Sequence, residues 1–256
     1  MCLLAFALDA HPRYRLILAA NRDEHFARPT AVAGFWDDAP QILAGRDLEA
    51  GGTWLGVSKT GRLAALTNYM GPNEHANDKL SRGTLIPEFL SGNVTIDEFQ
   101  QSLRESGERY NGFGLVFGDA DGLGYFTNRG VPMSRIPGGI HGLSNHLLDT
   151  PWPKVVFVKE SLRRLLQGEE IDPEEIFGIL GDPTRHPDHL LPDTGIGLEK
   201  ERALSAVFVS TKGYGTRSST VVLVDRENRI TFYERTFDGS RRVTGTVEFR
   251  LPGHHA

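Results

Sequence analysis

The sequence has a single cysteine, Cys2. One thiol cannot form an internal disulfide, so the fold must hold without covalent staples, and a reducing compartment suits it. Long hydrophobic runs are missing as well. The apolar start, Met1 to Ala10, is interrupted by Asp9, has no basic stretch ahead of it, and is too short for a signal-peptide core or a membrane span. The expectation is a soluble, cytoplasmic protein with no transmembrane segment. Positive charge is not in excess either: 28 Lys and Arg against 33 Asp and Glu give a net charge of −5. Nothing therefore draws the chain to nucleic acid. The short basic pairs Arg163-Arg164 and Arg241-Arg242 read as solvated residues. Clustered metal ligands are also lacking. Apart from His254-His255, which read as tail, His186 and His189 are the only close histidine pair; Pro187 lies between them and no third ligand is evident nearby, so no metal site is expected.

What remains is ordinary globular composition, 39% hydrophobic and 24% charged. The length is enough for one large core. No low-complexity linker divides the chain, and residues 1–256 read as one domain.

The position of Cys2 is informative. Initiator methionines are commonly removed ahead of small residues, and removal here would place a thiol and a free α-amine on one residue. Such an amine titrates near about 7.7–8.0, so part of it is free at neutral pH to take the thiol's proton. The plain alternative is a small apolar side chain in a first β-strand.

Cys2-Leu-Leu-Ala-Phe-Ala-Leu and Tyr14 to Ala20 read as a buried hairpin around His11-Pro12. The polar stretch Asn21 to Pro29 follows as a loop, at a strand end where charged residues often line a site. Two strands flank the Gly61 turn and end in the turn cluster Asn68-Tyr-Met-Gly-Pro72. Ser81–Leu90 and Thr95–Ser106 read as helices, the second with Thr95 and Glu98 spaced as a capping box. Gly112–Gly118 and Gly122–Thr127 form another hairpin, and Ile140–Asn145 a short strand. A helix opens at Thr150-Pro151-Trp152-Pro153 and runs to about Gln167; another opens at Asp172-Pro173. Arg185 to Arg202 reads as irregular. Strands return at Ala206–Ser210, Ser219–Val224, Ile230–Arg235 and Thr244–Phe249. Strands first, helices centrally and strands again point to an α+β fold with antiparallel sheets.

Three polar residues sit at strand ends beside Gly or Ser: Asn68, Asn145 and Arg217. An amide at such a place can hold an oxyanion, and an arginine can hold a thiolate or an anionic ligand. Each also has an ordinary turn-forming role.

Asn21-Arg22-Asp23-Glu24 spells the signature of the NRDE family, the transport and Golgi organisation protein 2 family. The chain resembles that family through Met1-Cys2, Gly51-Gly-Thr-Trp-Leu-Gly, Leu66-Thr-Asn-Tyr, Ser81-Arg-Gly, Tyr110-Asn-Gly-Phe, Gly142-Leu-Ser-Asn, Leu191-Pro-Asp-Thr-Gly and Tyr214-Gly-Thr-Arg-Ser-Ser-Thr, over nearly its full length. The family is similar in turn to cysteine N-terminal nucleophile hydrolases of the penicillin V acylase and bile salt hydrolase group. The resemblance implies a four-layer αββα sandwich of two packed, mainly antiparallel sheets. It implies Cys2 as nucleophile, Asn68 as oxyanion donor, Asn145 as the second asparagine, Arg217 as a late arginine near the nucleophile, and Arg22 and Asp23 as the charged pair. Those hydrolases space that Arg and Asp three apart; here Ala20 stands where the Arg belongs. Arg22 then serves only if the strand ends in a bulge, because a shift of one residue changes the face. Asn21, Glu24, His25, Tyr69 and His146 lie in or beside these motifs and are expected ligand contacts. The activity implied is cleavage of an acyl amide or thioester with no required cofactor. The alternative implied is binding or trafficking of haem, acyl-CoA or lipid without chemistry. Oligomeric state is left open.

Overall fold

Strand β1 (Cys2–Leu8) and strand β2 (Tyr14–His25) are apolar on both faces because both faces are covered. Leu4, Phe6 and Leu8 point with Leu16, Leu18 and Ala20 into one core, while Leu3, Ala5 and Ala7 point with Ile17 and Ala19 to the other side. The computed structural model describes residues 2–253 apart from 72, 73, 75 and 77. The expected removal of Met1, the Pro72 end of the turn after Asn68, and the tail residues His254 and His255 lie outside the described residues.

β1 and β2 are central in a sheet with β9 (Gly139–Leu143), β11 (Tyr214–Asp225), β12 (Ile230–Phe237) and β13 (Val243–Leu251). The order is β13-β12-β11-β2-β1-β9, and the two-residue strand β10 (Ser210–Thr211) pairs with β11. The second sheet keeps chain order: β3 (Thr30–Trp36), β4 (Ala39–Asp47), β5 (Leu55–Ser58), β6 (Leu63–Asn68), β7 (Phe113–Asp119) and β8 (Gly122–Thr127). All these pairings are antiparallel.

The sheets pack face to face over Phe6, Leu18, Leu43, Val57, Val116 and Phe232. Fully burying side chains of this kind contributes roughly 1.5–3 kcal/mol each. Helices α1 (Leu85–Ser91) and α2 (Ile96–Ser106) cover the outside of the second sheet through Phe89, Phe99 and Phe117. Helices α3 (Pro153–Leu165) and α4 (Pro173–Leu180) cover the first through Val155, Val158, Ile176 and Phe177. The layers run α, β, β, α, as expected. The caps are also as expected: Thr95 and Glu98 close a reciprocal box, and Asp172 accepts from Glu174 N–H at 2.9 Å.

Several segments differ from the sequence reading. Asn21–His25 is not loop but the continuation of β2, because β11 pairs with it out to Tyr214↔His25. β3 and β4 carry too many small and polar residues to stand out by pattern, yet they close the second sheet. Ser81–Leu90 is a 3₁₀ turn followed by α1, and the 185–202 region contains both a 3₁₀ turn and α5 (Leu198–Leu204). Residues 206–209 are buried but do not form a strand. Their backbone is satisfied one group at a time, with Phe208 N–H on the Asp182 carbonyl (2.7 Å) and Val209 N–H on Thr216 Oγ1 (2.9 Å).

Candidate active site

Cys2 opens β1 and is directly paired with Arg22 of β2. Directly paired residues project from the same face, so Arg22 stands beside the thiol. β2 runs here without a bulge. The bulge is in β11, between Thr216↔Asp23 and Ser218↔Arg22, and Arg217 is the extra residue. Arg22 therefore reaches the Cys2 side by plain pairing, which corrects the expected need for a bulge in its own strand. Its guanidinium lies 4.2 Å over the Trp54 ring, donates to Thr30 Oγ1 at 3.1 Å, and stands 3.7 Å from Asp47 and 3.9 Å from Glu24.

The partly accessible Cys2 opens on a cavity of about 640 Å³ whose walls include Arg22, Asp23, Glu24, His25, Trp54 and Asn68. Burial pushes the thiol up; the Asp23 charge adds to this, while the Arg22 charge and the Asp23 backbone N–H oppose it. Such a thiol needs a base to become a nucleophile.

Asp23 points the other way from Arg22, towards the helices, as strand alternation requires. Its carboxylate accepts from Thr216 Oγ1 at 2.7 Å, and Tyr214 Oη donates to its backbone carbonyl at 3.0 Å. Burial pushes the Asp23 carboxyl up, and the charge of Lys154 is the main opposing influence. Lys154 is itself 3% exposed and donates to the Leu204 carbonyl at 3.0 Å. It is the second residue of α3, at the positive end of the helix dipole, where a buried cation is doubly disfavoured. Burial pushes its ammonium down, and Asp23 and Cys2 offset this.

Asn68 ends β6 of one sheet, and Asn145 follows β9 of the other. Asn145 Nδ2 donates to Asn68 Oδ1 at 2.8 Å and to its carbonyl at 3.2 Å; Met70 N–H returns to the Asn145 carbonyl at 2.8 Å. Asn145 is fully buried with φ +57°, a left-handed conformation that Asn tolerates. With Oδ1 of Asn68 engaged, its NH₂ is the end left to donate into the cavity. Next to Asn145, Ser144 Oγ donates to the Cys2 carbonyl at 3.2 Å.

The remaining expected contacts are placed elsewhere. Arg217 is not in the cavity wall: its Nη1 donates to the carbonyls of His25 (2.8 Å), Phe26 (3.3 Å) and Arg28 (3.0 Å), so it braces the turn after β2. Asn21 does not line the cavity either. It faces the helices, donating to the Leu180 and Val207 carbonyls at 2.9 Å and accepting from Ser219 at 2.6 Å. Tyr69 and His146 bond each other at 2.9 Å outside the cavity wall, and the His146 ring lies tilted against Trp152 at 5.7 Å between centroids. Among the described residues no group of three His, Cys, Asp or Glu is arranged to hold a metal. Among the described residues no helix is long and apolar enough to cross a membrane.

The sequence profile of the family described as Transport and Golgi organisation 2 matches residues 1–239. The chain is 38% identical to the Transport and Golgi organization 2 homolog of Mus musculus, over 98% of this chain and 99% of that one. It belongs to the Transport and Golgi organisation 2 family. The Bos taurus homolog of the family is 40% identical over the same shares of the two chains. The fold of this family member is shared with a solved structure, the Caenorhabditis elegans ortholog of N-acylethanolamine-hydrolyzing acid amidase. That match has a TM-score of 0.50 at 11% identity and covers 87% of this chain and 92% of that one.

Four residues of this family member were not singled out from sequence: Trp54, Arg82, Lys154 and Thr216. Trp54, Arg82 and Thr216 sit inside the motif blocks quoted above. Lys154 carries a local signal of its own, a lysine inside an apolar helix start.

Proposed function

We propose that the protein is a cysteine N-terminal nucleophile hydrolase that cleaves an acyl amide or thioester after removal of Met1. The observation that carries the reading is the thiol of Cys2 opening on the same cavity as Asn68, whose amide is oriented by the buried Asn145. In this mechanism the freed α-amine of Cys2 takes the thiol proton, and the sulfur attacks the carbonyl carbon. The Asn68 NH₂ and a backbone N–H hold the oxyanion. The amine or thiol leaving group departs with the proton from the α-ammonium. Water then attacks the thioester, the α-amine again taking the proton, and the acid leaves. Asp23 steadies the α-ammonium, and Arg22 favours the thiolate. A cytoplasmic setting, where thiols stay reduced, suits such a site.

Intact mass of the purified protein reads Met1 removal, and release of acid from a panel of acyl amides and thioesters reads turnover. Turnover that is lost in Cys2→Ala supports the mechanism; retention of Met1 in active protein refutes it. A second reading, binding of haem, acyl-CoA or lipid without turnover, draws on the burial that holds the thiol protonated. Saturable binding that survives in Cys2→Ala, with no acid released by the wild type, favours it. A Soret band on haem titration picks out haem.

A further inference from the structure

Two glycines from separate motif blocks meet beside the cavity. A Cβ on Gly52 would lie 2.4 Å from the backbone C and O of Gly83, and one on Gly83 would lie 3.0 Å from the Thr53 carbonyl oxygen. Thr53 N–H donates to the Gly83 carbonyl at 3.1 Å, so this close approach is fastened as well as permitted. The contact seats Arg82, the residue before Gly83, in the cavity wall, where its Nη1 donates to the Gly112 carbonyl at 2.9 Å.

The charges of this wall do not balance. Arg22, Arg28, Lys79, Arg82 and Lys200 line the cavity with only Asp23, Glu24 and Asp47. Arg28 is matched by Asp47 at 2.8 Å and Glu49 at 3.1 Å, and Arg22 stands by Asp47 and Glu24. Asp23 already faces the buried Lys154. Arg82, Lys79 and Lys200 have no ion-pair partner among the described residues; Arg82 donates to the Gly112 carbonyl and Lys79 to the Glu108 carbonyl, each at 2.9 Å. Burial already pushes the Arg82 guanidinium down. The charges of Cys2, Glu24 and Glu74 act on it from a distance without forming an ion pair. A partly desolvated guanidinium with no carboxylate in direct contact still has room for an anion, and its planar fork fits a carboxylate or phosphate. The cavity volume falls in the range of small-molecule sites, roughly 300–1,000 Å³.

We propose that Arg82, assisted by Lys79 and Lys200, is an anion-recognition subsite that holds the negatively charged end of an acyl-bearing substrate. The acyl part of this assignment rests on the acyl-transfer reading of Cys2; the anion does not.

The test is calorimetric binding to the full-length Cys2→Ala protein of three probes with the same acyl chain. These are N-decanoylethanolamine, which is neutral, N-decanoylglycine, a carboxylate, and the phosphate ester of N-decanoylethanolamine. An anionic probe is expected to bind about tenfold or more tightly than the neutral one, with the preference falling as salt is raised. Arg82→Met removes the preference and Arg82→Lys keeps part of it, while circular dichroism shows both variants folded. Tighter binding of the glycine conjugate marks a carboxylate site and tighter binding of the ester a phosphate site; either supports the subsite. Equal affinity for all three probes, no binding of any, or a preference that survives Arg82→Met overturns it. An Arg82-dependent preference in a wild-type protein that releases no acid would leave the subsite standing and remove the acyl-transfer reading instead.

Discussion

Glu234 offers a measurement in which structure, charge and stability are tied together. It lies on β12, is 2% exposed, and accepts from the Ala33 N–H of β3 at 2.7 Å. One carboxyl thereby joins the two sheets, beside a cavity of about 170 Å³ that also touches Trp54 and Thr30. Burial pushes its carboxyl up to about 7, against the Ala33 N–H, Ser218 and the charge of Arg22. The step from an ordinary 4.5 to about 7 corresponds to about 3 kcal/mol. The sign follows from proton counting. Below 4.5 folded and unfolded chains both hold the proton, and the group costs nothing. Between 4.5 and about 7 only the folded chain holds it, so stability falls as pH rises; above about 7 the full cost is present. Glu234→Gln keeps an acceptor for Ala33 and carries no charge. The variant should match the wild type at about pH 4.5 and exceed it by up to about 3 kcal/mol at about pH 8. For a chain of this size that is roughly 6–12 °C in Tm. Thermal melts of both proteins at the two pH values read the difference. A gap in Tm that does not change with pH would refute the reasoning, because no proton would then be linked to this site.

Two further outcomes follow from the clasp and the buried lysine. Asn145→Gly keeps the left-handed backbone but releases Asn68, so Cys2-dependent turnover should fall about 10²-fold or more, with about 1–3 kcal/mol of stability lost with the buried amide's hydrogen bonds; Asn145→Ala should lose the same turnover and melt lower still, because its backbone is strained at this position. Lys154→Met removes the main counter-charge of Asp23 and should cost about 3 kcal/mol in urea unfolding, with part regained in the Lys154→Met/Asp23→Asn double variant.

The β1–β2 hairpin was legible because both strands are apolar without interruption, and the caps of α2 and α4 because their chemistry is local. The end of β2 was not. Asn21 to His25 looks like loop until β11, nearly two hundred residues later, pairs with it. Arg217 was misplaced for the same reason: only the register between those strands reveals it as the bulged residue that turns to the 25–28 carbonyls. Asn21 was read as lining a site from its neighbours, whereas strand alternation sends it under α4. Asn68 and Asn145 were each visible as strand-end amides, but their bond exists only because the two sheets stack. Arg82 stood in a quoted block with no sign of its role; the meaning of Gly83 depends on Gly52, and that contact is tertiary.

The location of β1 also fixes an order of events. Its partners are β2, its nearest neighbour in the chain, and β9, which begins at Gly139. The cavity beside it is lined by Asn68, which Asn145 holds, and by Asp23, which Thr216 and Lys154 hold. Contacts so distant in sequence form late, and during synthesis they cannot form until most of the chain has left the ribosome. Until then the first residues of the nascent protein are open to any peptidase. Once β2 and β9 have docked, Cys2 is paired with Arg22 and its carbonyl accepts from the Ser144 hydroxyl just past β9. If Met1 is removed as proposed, the trimming enzyme has its best access on the ribosome, before the sheet around Cys2 has closed.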